Sequence, residues 1–159
     1  MNTGHGVKRD VPGRRILLVD DNQMGLRARK VVLEELGYIV VAVGCSVEAL
    51  QHFCAHPFDL VVTDYRMPKL DGIQLIARMR ERNPATPIVL ISGLAEALGL
   101  NETNTGANTV LQKDCHEVAA LTRAVNRLLA RKPPRKPARV QTTLAKRSMV
   151  VGGSSRGYY

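Results

Sequence analysis

Polar side chains follow the apolar runs of this sequence at positions where they could act together. They are Asp20 and Asp21, Asp64, Ser92 and Lys113. Taken alone, each has an ordinary structural explanation: a helix cap, a solvated strand end, a turn acid or a surface lysine. If the apolar runs are parallel strands, however, their carboxyl ends share one edge of the sheet, and ligands bind at that edge. Five polar groups at one edge predict a chemical site.

The three acids of this set require a cation if they lie together. Two ionised carboxylates at about 4 Å repel by about 4 kcal/mol at an effective dielectric of 20. Ligands that are all oxygen indicate a hard ion, and few carboxylates with room for water and a phosphate oxygen favour Mg²⁺ over Zn²⁺. A metal, a lysine, a hydroxyl and a carboxylate nucleophile are the components of phosphoryl transfer through an aspartyl phosphate.

The apolar pattern predicts the elements that would position these residues. Short apolar runs predict strands at residues 16–19, 38–43, 59–64, 87–92 and 108–113. Helical patterns occupy residues 23–36, 47–55, a segment after the Pro68 loop that ends near 82, then 94–105 and 117–129. Strands that alternate with helices are parallel and joined by right-handed crossovers. The fold class is therefore α/β, a doubly wound five-stranded parallel sheet with helices on both faces.

Three of the helices carry more specific predictions. Ala28, Val32 and Leu36 recur every four residues and predict the buried face of the first helix. Gly99 and several polar residues give the fourth helix a modest propensity, so we expect that segment to be mobile. The predicted buried face of the last helix consists of Val118, Leu121, Val125 and Leu128.

The positive charge of the chain is concentrated outside the predicted domain. The net charge is +9, yet residues 16–130 hold eleven basic and thirteen acidic side chains, whereas residues 131–159 hold eight basic and none acidic. We expect a flexible lead at 1–13, one domain at 14–131 and a disordered, solubilising tail at 132–159. The alternative is a tail that binds nucleic acid by counterion release, although no aromatic residues interleave with its charges.

Length and cysteine content indicate one intracellular domain. The chain has 159 residues, of which 45% are hydrophobic, enough for a single core. Cys45, Cys54 and Cys115 are an odd set without a Cys-x-x-Cys pair, which predicts reduced thiols that serve packing in a cytoplasmic protein. No apolar run approaches the roughly 18 residues of a membrane helix. His52 and His56 are four residues apart, and we interpret them as part of a solvated helix face.

Four motifs carry a resemblance to a known family. The first, third, fourth and fifth predicted strands end in the motifs ILLVDDN, VVTDYRMPKLDG, VLISG and VLQK, respectively. Across residues 14–131 the sequence resembles the response-regulator receiver family, whose members are CheY-like. The resemblance implies a flavodoxin-like sheet with strand order 2-1-3-4-5.

The resemblance also implies a role for each residue of the predicted site. Asp64 resembles the phosphoacceptor, Ser92 the hydroxyl that bonds the phosphoryl group, and Lys113 the lysine that pairs with the acids or the phosphoryl oxygens. The implied Mg²⁺ ligands are Asp21, Asp20 as the second acid of the pair, Asp64 and the backbone carbonyl of Arg66. The donor would be a histidine kinase or a phosphotransfer protein, and the receiver would assist its own phosphorylation and dephosphorylation. It would be a switch rather than an enzyme.

Two departures from the family pattern fall on the implied output face, which comprises the fourth helix, the fifth strand and the fifth helix. Val110 replaces the usual aromatic residue, and Asp114 replaces the usual proline after the lysine. Neither removes a ligand or the nucleophile, so we expect phosphorylation to persist. Without a recognisable output domain, we expect a single-domain regulator. A phosphorylation-independent docking scaffold is the alternative, and the intact Asp21, Asp64, Ser92 and Lys113 argue against it.

Overall fold

The computed structural model describes residues 13–130, whose five strands form one parallel sheet. The strands are β1 (Arg15–Val19), β2 (Ile39–Val43), β3 (Leu60–Asp64), β4 (Ile88–Ser92) and β5 (Thr109–Gln112). Their order is β2-β1-β3-β4-β5. The predicted fold class and strand order are confirmed. The predicted tail, and the predicted lead apart from Gly13, lie outside the described residues.

Helices cover both faces of the sheet. They are α1 (Gln23–Glu35), α2 (Ser46–Ala55), α3 (Gly72–Arg82), α4 (Glu102–Thr105) and α5 (Glu117–Ala130). Successive residues of a strand point to opposite faces. Ile16 and Leu18 of β1 therefore pack with α1 and α5, whereas Leu17 and Val19 pack with α2 and α3. Burial of β1 on both faces explains its unbroken apolar run.

The fourth helix is shorter than predicted. Only residues 102–105 are helical, and residues 94–99 form turns instead of continuing a helix over 94–105. The Asn101 side chain accepts bonds from the N–H groups of Thr103 and Asn104, so it begins a helix at this point. Gly106 then ends the helix in the left-handed conformation. Gly99 also has a positive φ of 59°, which interrupts any helix before Asn101.

The predicted buried faces of α1 and α5 were partly wrong. In α1, Ala28 is exposed, and the buried side chains are Leu26, Arg29 and Leu33. A strict four-residue spacing drifts around a helix of about 3.6 residues per turn, and a spacing alternating between three and four stays on one face. In α5, Leu121 and Val125 are buried as predicted, but Val118 is 44% exposed and Leu128 half-buried. The remaining buried residues of α5 are Glu117, Ala124 and Leu129.

The cysteines do not serve the packing role that the sequence suggested. All three are free thiols, but Cys54 and Cys115 are exposed and Cys45 is only half-buried. They lie at helix and loop positions outside the two apolar clusters. Among the helices of residues 13–130, none has the length and apolar character needed to cross a membrane.

Candidate functional site

Asp64 ends the central strand β3 with its side chain largely buried. Its backbone stays in register with β4, and the next N–H, that of Tyr65, donates to the Ile91 carbonyl at 2.9 Å. The chain then returns, and the Gly72 N–H donates to the Tyr65 carbonyl at 2.7 Å. A Cβ atom at Gly72 would lie 2.5 Å from the Asp64 carbonyl oxygen. Glycine at position 72 therefore allows α3 to start against the end of β3.

Two further carboxylates lie beside Asp64, as the sequence predicted. One carboxylate oxygen from each of Asp20, Asp21 and Asp64 can be chosen so that all three lie within 4.8 Å of one another. Asp20 is 1% exposed, and its Oδ1 accepts the Asn22 N–H at 2.8 Å, whereas Asp21 faces solvent. Asn22, not Asp21, caps α1, because its side chain accepts the Gly25 N–H. Asp21 is thus left available as a ligand.

This donor set fits a magnesium ion. Its ligands are carboxylate oxygens, and the exposed side of Asp21 leaves space for the waters that Mg²⁺ retains. Among residues 13–130, no other group of three His, Cys, Asp or Glu side chains could hold a metal. His52 and His56, whose ring centroids are 6.2 Å apart, are therefore not part of a second such cluster.

Lys113 reaches the acids from the end of β5. Its Nζ donates to Asp64 Oδ1 at 2.9 Å and lies 3.7 Å from Asp20 Oδ2. Its backbone N–H donates to the Ser92 carbonyl at 2.9 Å, which fixes the lysine beside the end of β4. One ammonium group thus bridges two carboxylates, the arrangement predicted for this lysine.

Burial dominates the electrostatics of Asp64. Burial raises the pKa of its carboxyl group, the hydrogen bond from Lys113 lowers it, and the nearby charge of Asp20 raises it again. The net effect is a pKa above the usual value for aspartate. One lysine therefore compensates the buried acids incompletely, and a further cation at this edge would favour the ionised carboxylate.

Ser92 ends β4 at the same edge of the sheet as the three acids and Lys113. It is 1% exposed, and its Oγ accepts the Leu94 N–H at 3.0 Å. The hydroxyl therefore caps the turn after β4, and its own hydrogen can be directed to another acceptor. Ser92, Gly93 and Lys113 line the same cleft of about 480 Å³ as the three acids.

Arg66 also lines this cleft. Its backbone N–H donates to Asp64 Oδ2 at 3.1 Å, and its side chain is exposed. The use of its backbone carbonyl as a metal ligand remains a prediction. The structure thus brings together every side chain that the sequence assigned to the site.

Sequence reasoning missed two charged residues behind the acids. The buried Arg29 of α1 forms ion pairs with Asp20 and with Glu117, the first residue of α5. Arg29 and Glu117 are 88 positions apart, so no local pattern pairs them. The available signal was an arginine at the centre of the Leu26 and Leu33 face of α1.

Two curated relatives match 65% and 72% of this chain. The response regulator receiver protein CpdR of Brucella abortus is 35% identical over 105 residues, which are 65% of this chain and 87% of that protein. The gliding motility regulatory protein of Myxococcus xanthus is 32% identical over 118 residues, 72% of this chain but only 15% of that much longer protein.

A solved structure agrees with these relatives. The receiver domain of the sensor histidine kinase PA1611 from Pseudomonas aeruginosa PAO1, with a magnesium ion coordinated in its active-site cleft, superposes with a TM-score of 0.68 and 28% identity. The match covers 74% of this chain and 98% of that domain. The model of the family described as the response regulator receiver domain matches residues 16–126. With this fold and site, the chain belongs to the response regulator receiver family of two-component signalling, whose domains are phosphoacceptor switches.

Proposed function

We propose that this chain is a response regulator that accepts a phosphoryl group on Asp64 from a histidine kinase or phosphotransfer protein. Mg²⁺ would be held by Asp20, Asp21, Asp64 and the backbone carbonyl of Arg66. The observation that carries the proposal is the convergence of three carboxylates within 4.8 Å, with the Lys113 ammonium 2.9 Å from Asp64. Because this convergence combines a nucleophile, the positive charge of Lys113 and a place for a divalent cation, it supports transfer of an anionic group.

The proposed transfer uses an oxygen of the ionised Asp64 side chain as the nucleophile. This oxygen forms a bond to phosphorus, the bond from phosphorus to the donor imidazole nitrogen breaks, and that nitrogen retains the electron pair. A bound Mg²⁺ supplies positive charge to the phosphoryl oxygens. Lys113 donates a hydrogen bond to Asp64 before transfer, and its ammonium group can donate to a phosphoryl oxygen afterwards. The Ser92 hydroxyl can donate to a phosphoryl oxygen because its present bond uses the oxygen as an acceptor.

Membership of the receiver family supports a histidine kinase or phosphotransfer protein as the donor. A similar receiver belongs to a sensor histidine kinase and holds magnesium in its cleft, which supports a kinase donor and Mg²⁺ here. We place the exchange in the cytoplasm. The chain would assist both its own phosphorylation and the later hydrolysis of the acyl phosphate. Output would pass to a protein partner through α4, β5 and α5, where Val110 replaces the usual aromatic residue.

Phosphate incorporation tests this function. The wild type and Asp64→Asn would be treated with a small phosphodonor, with and without Mg²⁺, and the intact mass measured. We expect one phosphoryl group, dependent on Mg²⁺, in the wild type and none in Asp64→Asn. Asp114→Asn is the matched control, because it changes an exposed aspartate next to Lys113. Its labelling should equal that of the wild type.

The same experiment separates the phosphoacceptor from a docking scaffold that has lost phosphorylation. A scaffold would show no labelling in any variant and an unchanged cellular phenotype in Asp64→Asn. Label that persists in Asp64→Asn would place the phosphoryl group on another residue.

A further inference from the structure

Arg29 connects the carboxylate site to helix α5. It is 4% exposed, and it donates from Nη1 to Asp20 and from Nε to Glu117. Asp20 belongs to the proposed metal site, and Glu117 is the first residue of α5. We propose that Arg29 is a positioning residue that shares its guanidinium between Asp20 and Glu117, so that a cation at the site and the start of α5 affect each other. This inference rests on the proposed magnesium site.

The carboxylates of Asp20 and Glu117 offset the cost of burying the charged Arg29 guanidinium. Burial alone lowers the pKa of Arg29, but the bonds and charges of Glu117 and Asp20 outweigh it and raise the pKa above its usual value. The guanidinium is therefore permanently charged. Together with Lys113 it faces four carboxylates, those of Asp20, Asp21, Asp64 and Glu117. The resulting net charge of −2 equals the charge that one divalent cation would neutralise.

Gly25 provides the space that this pair needs. A Cβ atom at Gly25 would lie 3.0 Å from Arg29 Nη1 and 3.3 Å from Asp20 Oδ2. Glycine inside a helix is destabilising relative to alanine. Helix α1 thus has a residue of low helix propensity at the position where a larger side chain would crowd Arg29 and Asp20.

Linkage gives the coupling a direction. Glu117 and Asp20 attract the same guanidinium, so neutralising Glu117 leaves that positive charge to act on Asp20 alone. Asp20 then attracts a divalent cation less strongly, and cation binding weakens. By reciprocity, a cation bound by Asp20 must change the strength of the ion pair between Arg29 and Glu117 at the first turn of α5.

A purely structural ion pair makes a different prediction. Buried pairs often contribute little net stability, and loss of one partner leaves an uncompensated charge. If Arg29 served only to satisfy two buried acids, neutralising Glu117 would change the stability of the fold, and Mg²⁺ bound beside Asp20 would leave the first turn of α5 unaffected. The two hypotheses therefore differ most clearly in whether Mg²⁺ shifts the amide signals of α5.

Magnesium titrations followed by backbone amide NMR shifts test the coupling on the full chain. We expect Glu117→Gln to weaken Mg²⁺ binding several-fold relative to the wild type. Glu34→Gln is the matched control, because this exposed acid of α1 pairs with Lys30 and does not contact Arg29. Its dissociation constant should stay within twofold of the wild type. Equal affinity of Glu117→Gln and the wild type would overturn the coupling alone.

Removing Arg29 by itself would leave two buried acids uncompensated and would destabilise the fold. The second variant therefore combines Arg29→Met with Glu117→Gln, so that one cation and one acid are removed together. In the wild type we expect Mg²⁺ to shift the amide signals of Asp21 and of Val118–Leu121. The double variant should retain the Asp21 shift and lose those of α5. Persistent α5 shifts would contradict the proposal, whereas a wild type without any Mg²⁺-dependent shift would overturn the magnesium site and the coupling with it.

Discussion

At the residue scale, the site holds more negative charge on its carboxylates than Lys113 can neutralise. Lys113 is the ammonium that bridges Asp20 and Asp64, and the carboxyl of Asp64 still has a raised pKa. Asp64 is therefore both the proposed nucleophile and a source of electrostatic cost in the metal-free protein. Two experiments separate these aspects.

Loss of the Lys113 charge should slow phosphorylation more than it affects folding. Lys113→Met removes the 2.9 Å bond to Asp64 and a cation beside the transferred group, and we expect at least a tenfold slower reaction, or about 1.4 kcal/mol or more in the barrier. Lys30→Met is the control, since Lys30 pairs with Glu34 on the surface of α1. The rate of mass gain with a small phosphodonor measures both. A rate equal to that of the wild type would exclude Lys113 from the transfer step.

The raised pKa of Asp64 predicts a pH-dependent stability in the metal-free protein. A folded-state pKa above the unfolded value means that the folded protein binds more protons in that window, so stability falls as pH rises through it. We expect Asp64→Asn to unfold at a higher temperature than the wild type at pH 7 without metal. The difference should shrink as pH falls through the folded pKa. Thermal unfolding at several pH values checks this, and a wild type that gains stability relative to Asp64→Asn as pH rises would contradict it.

At the element scale, close packing at the carboxyl ends of the strands fixes the position of Asp64. The loop after β3 returns so tightly that α3 begins against the Asp64 carbonyl, and the Asp71 capping box sets the start of that helix. On the other side, the single turn of α4 and the preceding turns replace the longer helix that the sequence suggested.

Gly72→Ala should displace α3. Its Cβ would lie 2.5 Å from the Asp64 carbonyl and 2.7 Å from Leu90, so we expect a loss of about 1–3 kcal/mol in the free energy of unfolding. Gly93→Ala is the matched control, because nothing lies within 4 Å of a Cβ at that position. Urea denaturation measures both variants. Equal stabilities would show that the loop accommodates the methyl group without strain.

At the scale of the whole molecule, the positive charge of the chain is concentrated after residue 130. Both apolar clusters lie within residues 13–130, and α5 ends at Ala130. The eight basic residues of 131–159 follow that helix and have no acidic residue among them. We therefore expect the receiver and the tail to make different contributions to binding.

Truncation after Ala130 tests the two hypotheses for the tail. We expect the receiver to keep its unfolding temperature, since it retains both apolar clusters of the described residues, and still to be phosphorylated. If the tail binds nucleic acid, retention of the full chain on DNA or RNA should weaken as salt rises, and truncation should abolish that retention. Absence of retention by the full chain would leave the solubilising role.

The sequence by itself determined the parallel α/β class, the acidic residues at the strand ends and most element bounds, and its resemblance to the receiver family implied the strand order. Its β-strand runs are locally apolar, and the polar residues at their ends are local signals too. The tertiary structure decided what depends on distant partners. Arg29 is buried because Asp20 and Glu117 converge on it. The short α4 has a local cause instead, since Asn101 and Gly106 cap a single turn. Periodicity records which face of a helix is apolar, but it cannot reveal which charge on that face will be neutralised by a residue 88 positions away.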